Sequence, residues 1–311
     1  MLVSDLLGFS AAKHPGAPAL IFGDRTYSFE ELYQRASRLA GGLLQLASPG
    51  DRIAILAENL PEYVEAYYGV PMAGMALTFL NYRLHPREIE KILADAGAEV
   101  LITEPTYHDA LAEAGVLAGL RHVVGVGDCH GVIPYDELLA SAPPGPPNLE
   151  VDDREVAWLI YTSGTTGLPK GAMLSHRNLV SSVANTVMAW ERSADASRAL
   201  NPWPLCHVAG YGVLVHHTCG SSLYLMRGYE PEAFLRDIDQ HRITDVSVAP
   251  TMLSMLLRHP SIDRYDVSSV QRVAYGSAAM PIEVLKQGMA RFEGARWITG
   301  FGMTELGGNV L

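Results

Sequence analysis

The chain is poor in charge and in cysteine. Charged residues fill 18% of its 311 positions, and acidic ones outnumber basic ones, 34 to 23. The formal charge of −11 leaves no basic face for a nucleic-acid backbone or an anionic membrane. Any phosphate site must therefore be built locally, from backbone amides and a few cations. Three cysteines, Cys129, Cys206 and Cys219, are too few and too irregular for a disulfide framework. A reducing, cytoplasmic setting fits that usage. The N-terminus lacks the basic start of a secretory signal. No apolar run approaches the length of a transmembrane segment. There is no fixed-period repeat and no low-complexity tail.

What is present is a core-forming chain. Hydrophobic residues make up 48%, enough for one large domain or two ordinary ones. Ala19–Phe22, Gly23-Asp24 and Arg25–Tyr27 read as a β-hairpin. Ser28-Phe29-Glu30-Glu31 is a capping box opening a helix to about Leu46. Arg52–Leu56 is an apolar strand, Pro61 starts a helix, and 76–80 is strand-like. Ile89, Ile92, Leu93 and Ala96 share a helix face that Gly97 ends. Strand-like segments then recur before helices that open at Pro231, Pro250 and Pro281. Strands alternating with helices imply an α/β fold with largely parallel sheets. Four prolines between Ala142 and Pro147 mark a linker, dividing the sequence into approximate lobes 1–147 and 148–311.

The densest chemistry lies in Tyr161-Thr162-Ser163-Gly164-Thr165-Thr166-Gly167-Leu168-Pro169-Lys170-Gly171. Three glycines, four small hydroxyl residues and a lysine fall in eleven positions, directly after the apolar strand 156–160. Glycines let amides approach an anion, hydroxyls donate, and lysine adds a mobile charge. A Walker loop is excluded: Pro169 stands where that motif needs glycine, and Gly171 where it needs a Mg²⁺-binding hydroxyl. An ordinary Gly/Thr surface loop accounts for neither the lysine nor the motifs downstream.

The run resembles the signature of adenylate-forming enzymes, the superfamily of acyl-CoA synthetases, adenylation domains and luciferases, at every position. The resemblance implies that Thr162, Ser163, Gly164, Thr165, Thr166 and Gly167 wrap the β,γ-phosphates of ATP. It implies that Lys170 moves with the pyrophosphate. Pro204-Leu205-Cys206-His207-Val208-Ala209-Gly210 is similar to a segment of fatty-acyl and aryl CoA ligases, with Cys206 in place of an aromatic residue. There the histidine lies beside the acyl carboxylate, so His207, Val208 and Gly210 are candidate acyl-binding residues; a buried structural histidine is the plainer alternative. Gly276-Ser277-Ala278-Ala279-Met280-Pro281 resembles the turn lining one adenine face. Gly300-Phe301-Gly302-Met303-Thr304-Glu305 resembles the motif whose aromatic ring covers the other face. By that likeness Gly302 belongs to the nucleotide site, Thr304 binds the α-phosphate and Glu305 helps hold Mg²⁺. Asn81-Tyr82-Arg83-Leu84 with Glu88 and Ile92-Leu93 resembles a further family segment, so the likeness covers nearly the whole chain.

The family implies a fold of two stacked, mainly parallel sheets flanked by helices, its lobes intertwined in space. It implies activation of a carboxylic acid, most simply a fatty acid, with ATP and Mg²⁺. Transfer to coenzyme A would follow, with Lys170, His207, Thr304 and Glu305 as the catalytic group. Family members continue well past Glu305 into a small C-terminal domain with a second lysine. The expectation is therefore an incomplete N-terminal AMP-binding domain that adenylates poorly or not at all by itself. An acyl-AMP ligase or carrier-loading adenylation domain is the alternative inside the family, and a non-catalytic nucleotide- or acyl-binding fragment the alternative outside it. A homo-oligomer is compatible with the sequence, which is silent on the point. Zinc on Cys206, His207, His216, His217 and Cys219 is disfavoured, because their spacing lacks paired ligand units.

Overall fold

A computed structural model describes residues 1–162, 169–190 and 197–309. In the first half, α1 (Val3–Lys13) precedes the hairpin β1 (Pro18–Phe22) and β2 (Arg25–Ser28). Then come α2 (Phe29–Leu43), β3 (Arg52–Leu56), α3 (Pro61–Met72), β4 (Ala76–Phe79), α4 (Pro86–Ala96) and β5 (Ala98–Thr103). α5 (Pro105–Glu113), β6 (His122–Gly125), β7 (Ile133–Pro134) and α6 (Tyr135–Ser141) complete it. The second half runs β8 (Val156–Thr162), β9 (Lys170–Ser175), α7 (His176–Ala189), β10 (Arg198–Asn201), α8 (Gly212–Thr218), β11 (Ser222–Leu225) and α9 (Pro231–His241). It ends with β12 (Asp245–Val248), α10 (Pro250–Leu257), β13 (Arg272–Tyr275), α11 (Ile282–Arg291), β14 (Arg296–Thr299), β15 (Gly302–Met303) and β16 (Gly308–Asn309).

The expected local signals are realised. Ser28 Oγ accepts from the Glu31 amide at 3.1 Å and the Glu31 carboxylate answers the Ser28 amide at 2.8 Å, closing the capping box of α2. Gly97 caps α4 in the left-handed region at φ 65°. The helix expected to reach about Leu46 ends at Leu43 and passes into a turn. Gly41 and Gly42 weaken its last turn, and a Cβ on Gly42 would meet Leu138 at 2.7 Å.

Two seven-stranded sheets form, in the orders β14-β13-β12-β10-β11-β1-β2 and β7-β6-β5-β3-β4-β8-β9. Each is parallel except at one end, where β1–β2 and β8–β9 pair antiparallel. The sheets ignore the proline-rich segment: β1 and β2 join the strands of the second half, and β8 and β9 join those of the first.

A single apolar core joins both sheets through α1, α2, α3 and α8. Every residue of α3 is buried, as a helix packed on all sides requires. Its tyrosines sit with Trp158 of β8, whose indole centroid lies 4.5 Å from that of Tyr67. α9, α10 and α11 cover the outer face of one sheet and α4 and α5 the outer face of the other. The middle layer buries one carboxylate completely. Glu65 accepts from Arg35 Nε at 2.6 Å and from Tyr135 Oη at 2.8 Å, tying α3 to α2 and α6. No helix among the described residues is long and apolar enough to cross a membrane.

Candidate functional site at the carboxyl ends of the strands

In open parallel sheets, ligands sit where strands end and the connections part to opposite sides. β10 is such a strand: β11 follows it on one side and β12 lies on the other. The segment leaving β10 carries His207. In the other sheet the strand with this property is β3, flanked by β4 and β5, and the segment leaving it carries Glu58 and Asn59. The two exits meet. The Asn59 side chain donates to the carbonyls of Trp203 and Met226, each at 2.8 Å, and accepts from the Leu205 amide at 2.8 Å. Beside it Arg227 bridges Glu58 and Glu104 at 2.6 and 2.5 Å.

β8 delivers Thr162 to the start of the glycine-rich run, and Lys170 opens the return strand opposite it. Ser163, Gly164, Thr165, Thr166 and Gly167 lie outside the described residues. Lys170 is exposed and has no ion pair among the described residues. Gly171 has a packing reason to be glycine. A Cβ there would approach Leu159 Cδ1 to 2.9 Å and the Tyr161 ring to 3.2 Å. The Tyr161 hydroxyl in turn donates to Asp95 of α4 at 2.6 Å.

His207 is not the buried structural histidine that its surroundings also allowed. Its side chain is exposed at the start of the 3₁₀ turn Val208–Tyr211. The ring still loses enough solvent to the walls around it that desolvation, and then the Arg83 cation, lower its pKa below the usual value. It is therefore neutral at pH 7. Arg83 comes from the turn after β4, where Asn81 Oδ1 accepts from the Arg83 amide at 3.0 Å. Val208 is half-buried and Gly210 buried. A Cβ on Gly210 would stand 1.9 Å from Tyr67 Oη, so no other residue fits without moving Tyr67. Burial pushes the Cys206 thiol up to about 11, which keeps it protonated and unsuited to act as a nucleophile.

Gly276, Ser277 and Ala278 leave β13, and Gly300, Phe301 and Gly302 leave the adjacent β14. The Gly300 amide donates to Tyr275 O at 2.8 Å. A Cβ on Gly276 would lie 2.5 Å from Gly300 O. Ser277 holds a left-handed φ of 71°, unusual for a residue with a Cβ. Phe301 is 62% exposed, an apolar ring with no core to join. The chain then folds back along β9 and α7. The 3₁₀ turn Thr304–Leu306 lies against β9, which Lys170 opens, and β16 lies against Val208–Tyr211. A Cβ on Gly308 would meet the Tyr211 ring at 2.8 Å. Thr304 is half-buried. Glu305 is exposed and has no partner among the described residues, an uncommitted oxygen donor of the kind Mg²⁺ takes.

The strand ends thus bring together the segments of Lys170, His207, Thr304 and Glu305, with the Gly276 and Phe301 turns contiguous to the last. His217 is engaged elsewhere. A carbonyl can only accept, so its Nε2–H donates to Ala19 O at 3.2 Å and its Nδ1 accepts from Tyr68 Oη at 2.8 Å. No cluster of three metal-ligating residues occurs among the described residues. The sequence reading passed over Asn59 and Tyr67. The available signals were a lone amide between an apolar strand and a proline-initiated helix, and tyrosines at 63 and 67 on one helix face.

The chain is similar to known proteins in sequence and in fold. The chain is 36% identical over 304 residues to a feruloyl-CoA synthase from an Amycolatopsis species, covering 97% of this chain and 59% of that one. It is 28% identical over 339 residues to the long-chain-fatty-acid–CoA ligase of Bacillus subtilis (strain 168), covering 97% and 60%. The chain therefore spans about six tenths of the length of these curated relatives. The o-succinylbenzoate CoA synthetase of Bacillus subtilis, solved with its acyl-adenylate intermediate, superposes with a TM-score of 0.82 at 26% identity, over 99% of this chain and 76% of that one. Residues 9–311 match the family described as AMP-binding enzyme, and the chain belongs to that family.

Proposed function

We propose that this protein activates a carboxylic acid with ATP, forming an acyl-adenylate and pyrophosphate, and then passes the acyl group to the thiol of coenzyme A. The observation that carries this reading is the convergence of the Lys170, His207 and Thr304–Glu305 segments at the carboxyl ends of strands from both sheets. The two half-reactions need those groups in one place. The acid's carboxylate attacks the α-phosphorus of ATP, and the barrier is chiefly one of anion meeting anion. Residues 162–167 receive the β,γ-phosphates, and Lys170 follows the leaving pyrophosphate. Thr304 donates to the α-phosphate. His207, neutral at pH 7, donates a ring N–H to the acid's carboxylate and orients it for attack. Adenine lies between the Gly276–Ala278 turn and Phe301. Glu305 would hold Mg²⁺, which would supply charge neutralisation there.

The acid is apolar. Small and aliphatic residues at 248–252 and after His207 suit a fatty acid, and the likeness to a feruloyl-CoA synthase adds an aryl-propenoic acid as the competing class. The His207 segment favours coenzyme A over a carrier protein as acceptor, and cysteine usage favours a cytoplasmic setting. This chain carries the groups proposed to bind ATP and the acid. The test is acid-dependent ATP–pyrophosphate exchange, followed by thioester formation, by the full-length protein across a panel of aliphatic and aryl acids. Exchange with at least one apolar acid supports the reading. Undiminished ATP binding with no exchange for any acid leaves a nucleotide-binding module and contradicts it.

A further inference from the structure

The backbone of Leu205 is held at both its N–H and its C=O by the other half of the chain. Its N–H donates to Asn59 Oδ1 at 2.8 Å, and its C=O accepts from Tyr67 Oη at 2.5 Å. The partners are 146 and 138 positions away in sequence. Both are buried: Asn59 is 1% exposed and Tyr67 fully enclosed. The segment they grip is irregular, with little of its own to fix it. Within it His207 N reaches Pro204 O at 3.3 Å and Gly210 N reaches His207 O at 2.9 Å. Asn59 spends its remaining donors on Trp203 O and Met226 O, the exits of β10 and β11. Tyr67 closes the other end, because its hydroxyl occupies the space a side chain at Gly210 would need.

We propose that Asn59 and Tyr67 are positioning residues, which fix the Leu205 backbone and so set where His207 presents its ring to the acid. The inference rests on the acid-activating reading above. Tyr67 is well suited to the task because it cannot move. Its ring is wedged against Trp158, Phe79 and Tyr63, at centroid distances of 4.5, 5.5 and 5.7 Å. Trp158 Nε1 also donates to the Tyr67 carbonyl at 3.3 Å. Trp158 lies four positions before Thr162 on the strand that leads to the phosphate hairpin. One buried tyrosine thereby registers the acid-binding segment, which belongs to one sheet, against the phosphate-binding strand, which belongs to the other. Displacements of about 1 Å in such a register are costly to a reaction that depends on approach geometry.

The test uses Tyr67→Phe, which keeps the ring and its packing and removes only the hydroxyl, with Asn59→Ala as companion. Each protein is titrated calorimetrically with ATP·Mg²⁺ and with a 5′-O-(N-acylsulfamoyl)adenosine carrying an octanoyl or feruloyl group, whichever the wild type binds more tightly. The expected result is a loss of tenfold or more in analogue affinity with ATP affinity within twofold of wild type. In a His207→Ala background the Tyr67→Phe change should cost less than twofold, because its route to the ligand is gone. A purely structural role would not show that dependence. NMR titration of His207 gives a readout without ligand: its pKa should rise toward the ordinary value in Tyr67→Phe as the ring is released. Unchanged analogue affinity in Tyr67→Phe overturns the inference. So does a proportional loss for both ligands, or a full loss that persists without His207. A wild type that binds ATP and not the analogue overturns the acid-activating reading instead.

Discussion

Gly276 and Gly300 stand so close that a Cβ on the first would lie 2.5 Å from the carbonyl oxygen of the second. That contact locks the turn leaving β13 against the turn leaving β14, the pair proposed to enclose adenine. Gly276→Ala must push the turns apart, so ATP affinity should fall tenfold or more, measured by calorimetric titration. Ser277→Gly is the control. It relieves a left-handed φ of 71° and should leave affinity within threefold and stability unchanged or raised by about 0.5–1 kcal/mol. Equal affinities for the wild type and Gly276→Ala would contradict the assignment.

Phe301 separates ligand binding from folding. A ring that is 62% exposed contributes little to the folded state. Phe301→Ala should shift unfolding free energy by no more than about 0.5 kcal/mol. The same change should weaken ATP binding by about 1–3 kcal/mol, the usual cost of losing a ring that stacks on a base. Denaturant melts and nucleotide titrations on one preparation give both numbers. A large stability loss with unchanged ATP affinity would make Phe301 structural.

Glu65 is the carboxylate whose pKa burial raises and the Arg35 cation beside it pulls back down in part. Arg35→Met removes the counter-charge and leaves an acid with no solvent. Unfolding free energy at pH 8 should fall by about 3–5 kcal/mol. The deficit should shrink toward pH 5.5, since protonation relieves the stranded carboxylate. Urea melts at the two pH values check the sign, and a deficit that grows toward acid would contradict it.

His176 and His217 are both pushed down to about 4 by burial. His176 Nδ1 accepts from the Val3 amide at 3.1 Å, and His217 Nδ1 accepts from Tyr68. Neither ring can take a proton without losing an acceptor. The folded pKa lies below the unfolded value of about 6.5. Unfolded chain therefore binds protons first, and stability is lost as pH falls from about 6.5 toward 4. Each ring contributes on the order of 3 kcal/mol over that window. Melts from pH 7.5 to 4.5 should show the decline, and His217→Gln should shallow it. A pH-independent midpoint would contradict buried neutral rings.

Local signals were legible in the sequence wherever one residue type has one physical use. Ser28 and Glu31 announced a capping box, Gly97 a helix end, and Pro231 and Pro250 helix starts. Pro169 and Gly171 exclude the Walker loop on sequence alone. Pairing across the chain was not legible. β1 and β2 cross to the far sheet and β8 and β9 cross back, because the partner edges are set by packing over more than a hundred residues. β9 also escaped notice: Met173 within it is 67% exposed, so its apolar pattern does not mark a core strand. His207 read alone favoured a buried structural role, and only the fold shows it exposed. Asn59 and Tyr67 carry no motif at all, since their partners are backbone atoms of residues 203 to 226.

The proposed site takes adenine, phosphate and acid together. Its most direct test is calorimetric titration of the 311-residue chain with AMP and with a 5′-O-(N-acylsulfamoyl)adenosine bearing an octanoyl or feruloyl group. The acylated analogue should bind at least a hundredfold more tightly than AMP, at a stoichiometry of one, and His207→Ala should remove most of that difference. Equal affinities for AMP and the acylated analogue would contradict a single shared site.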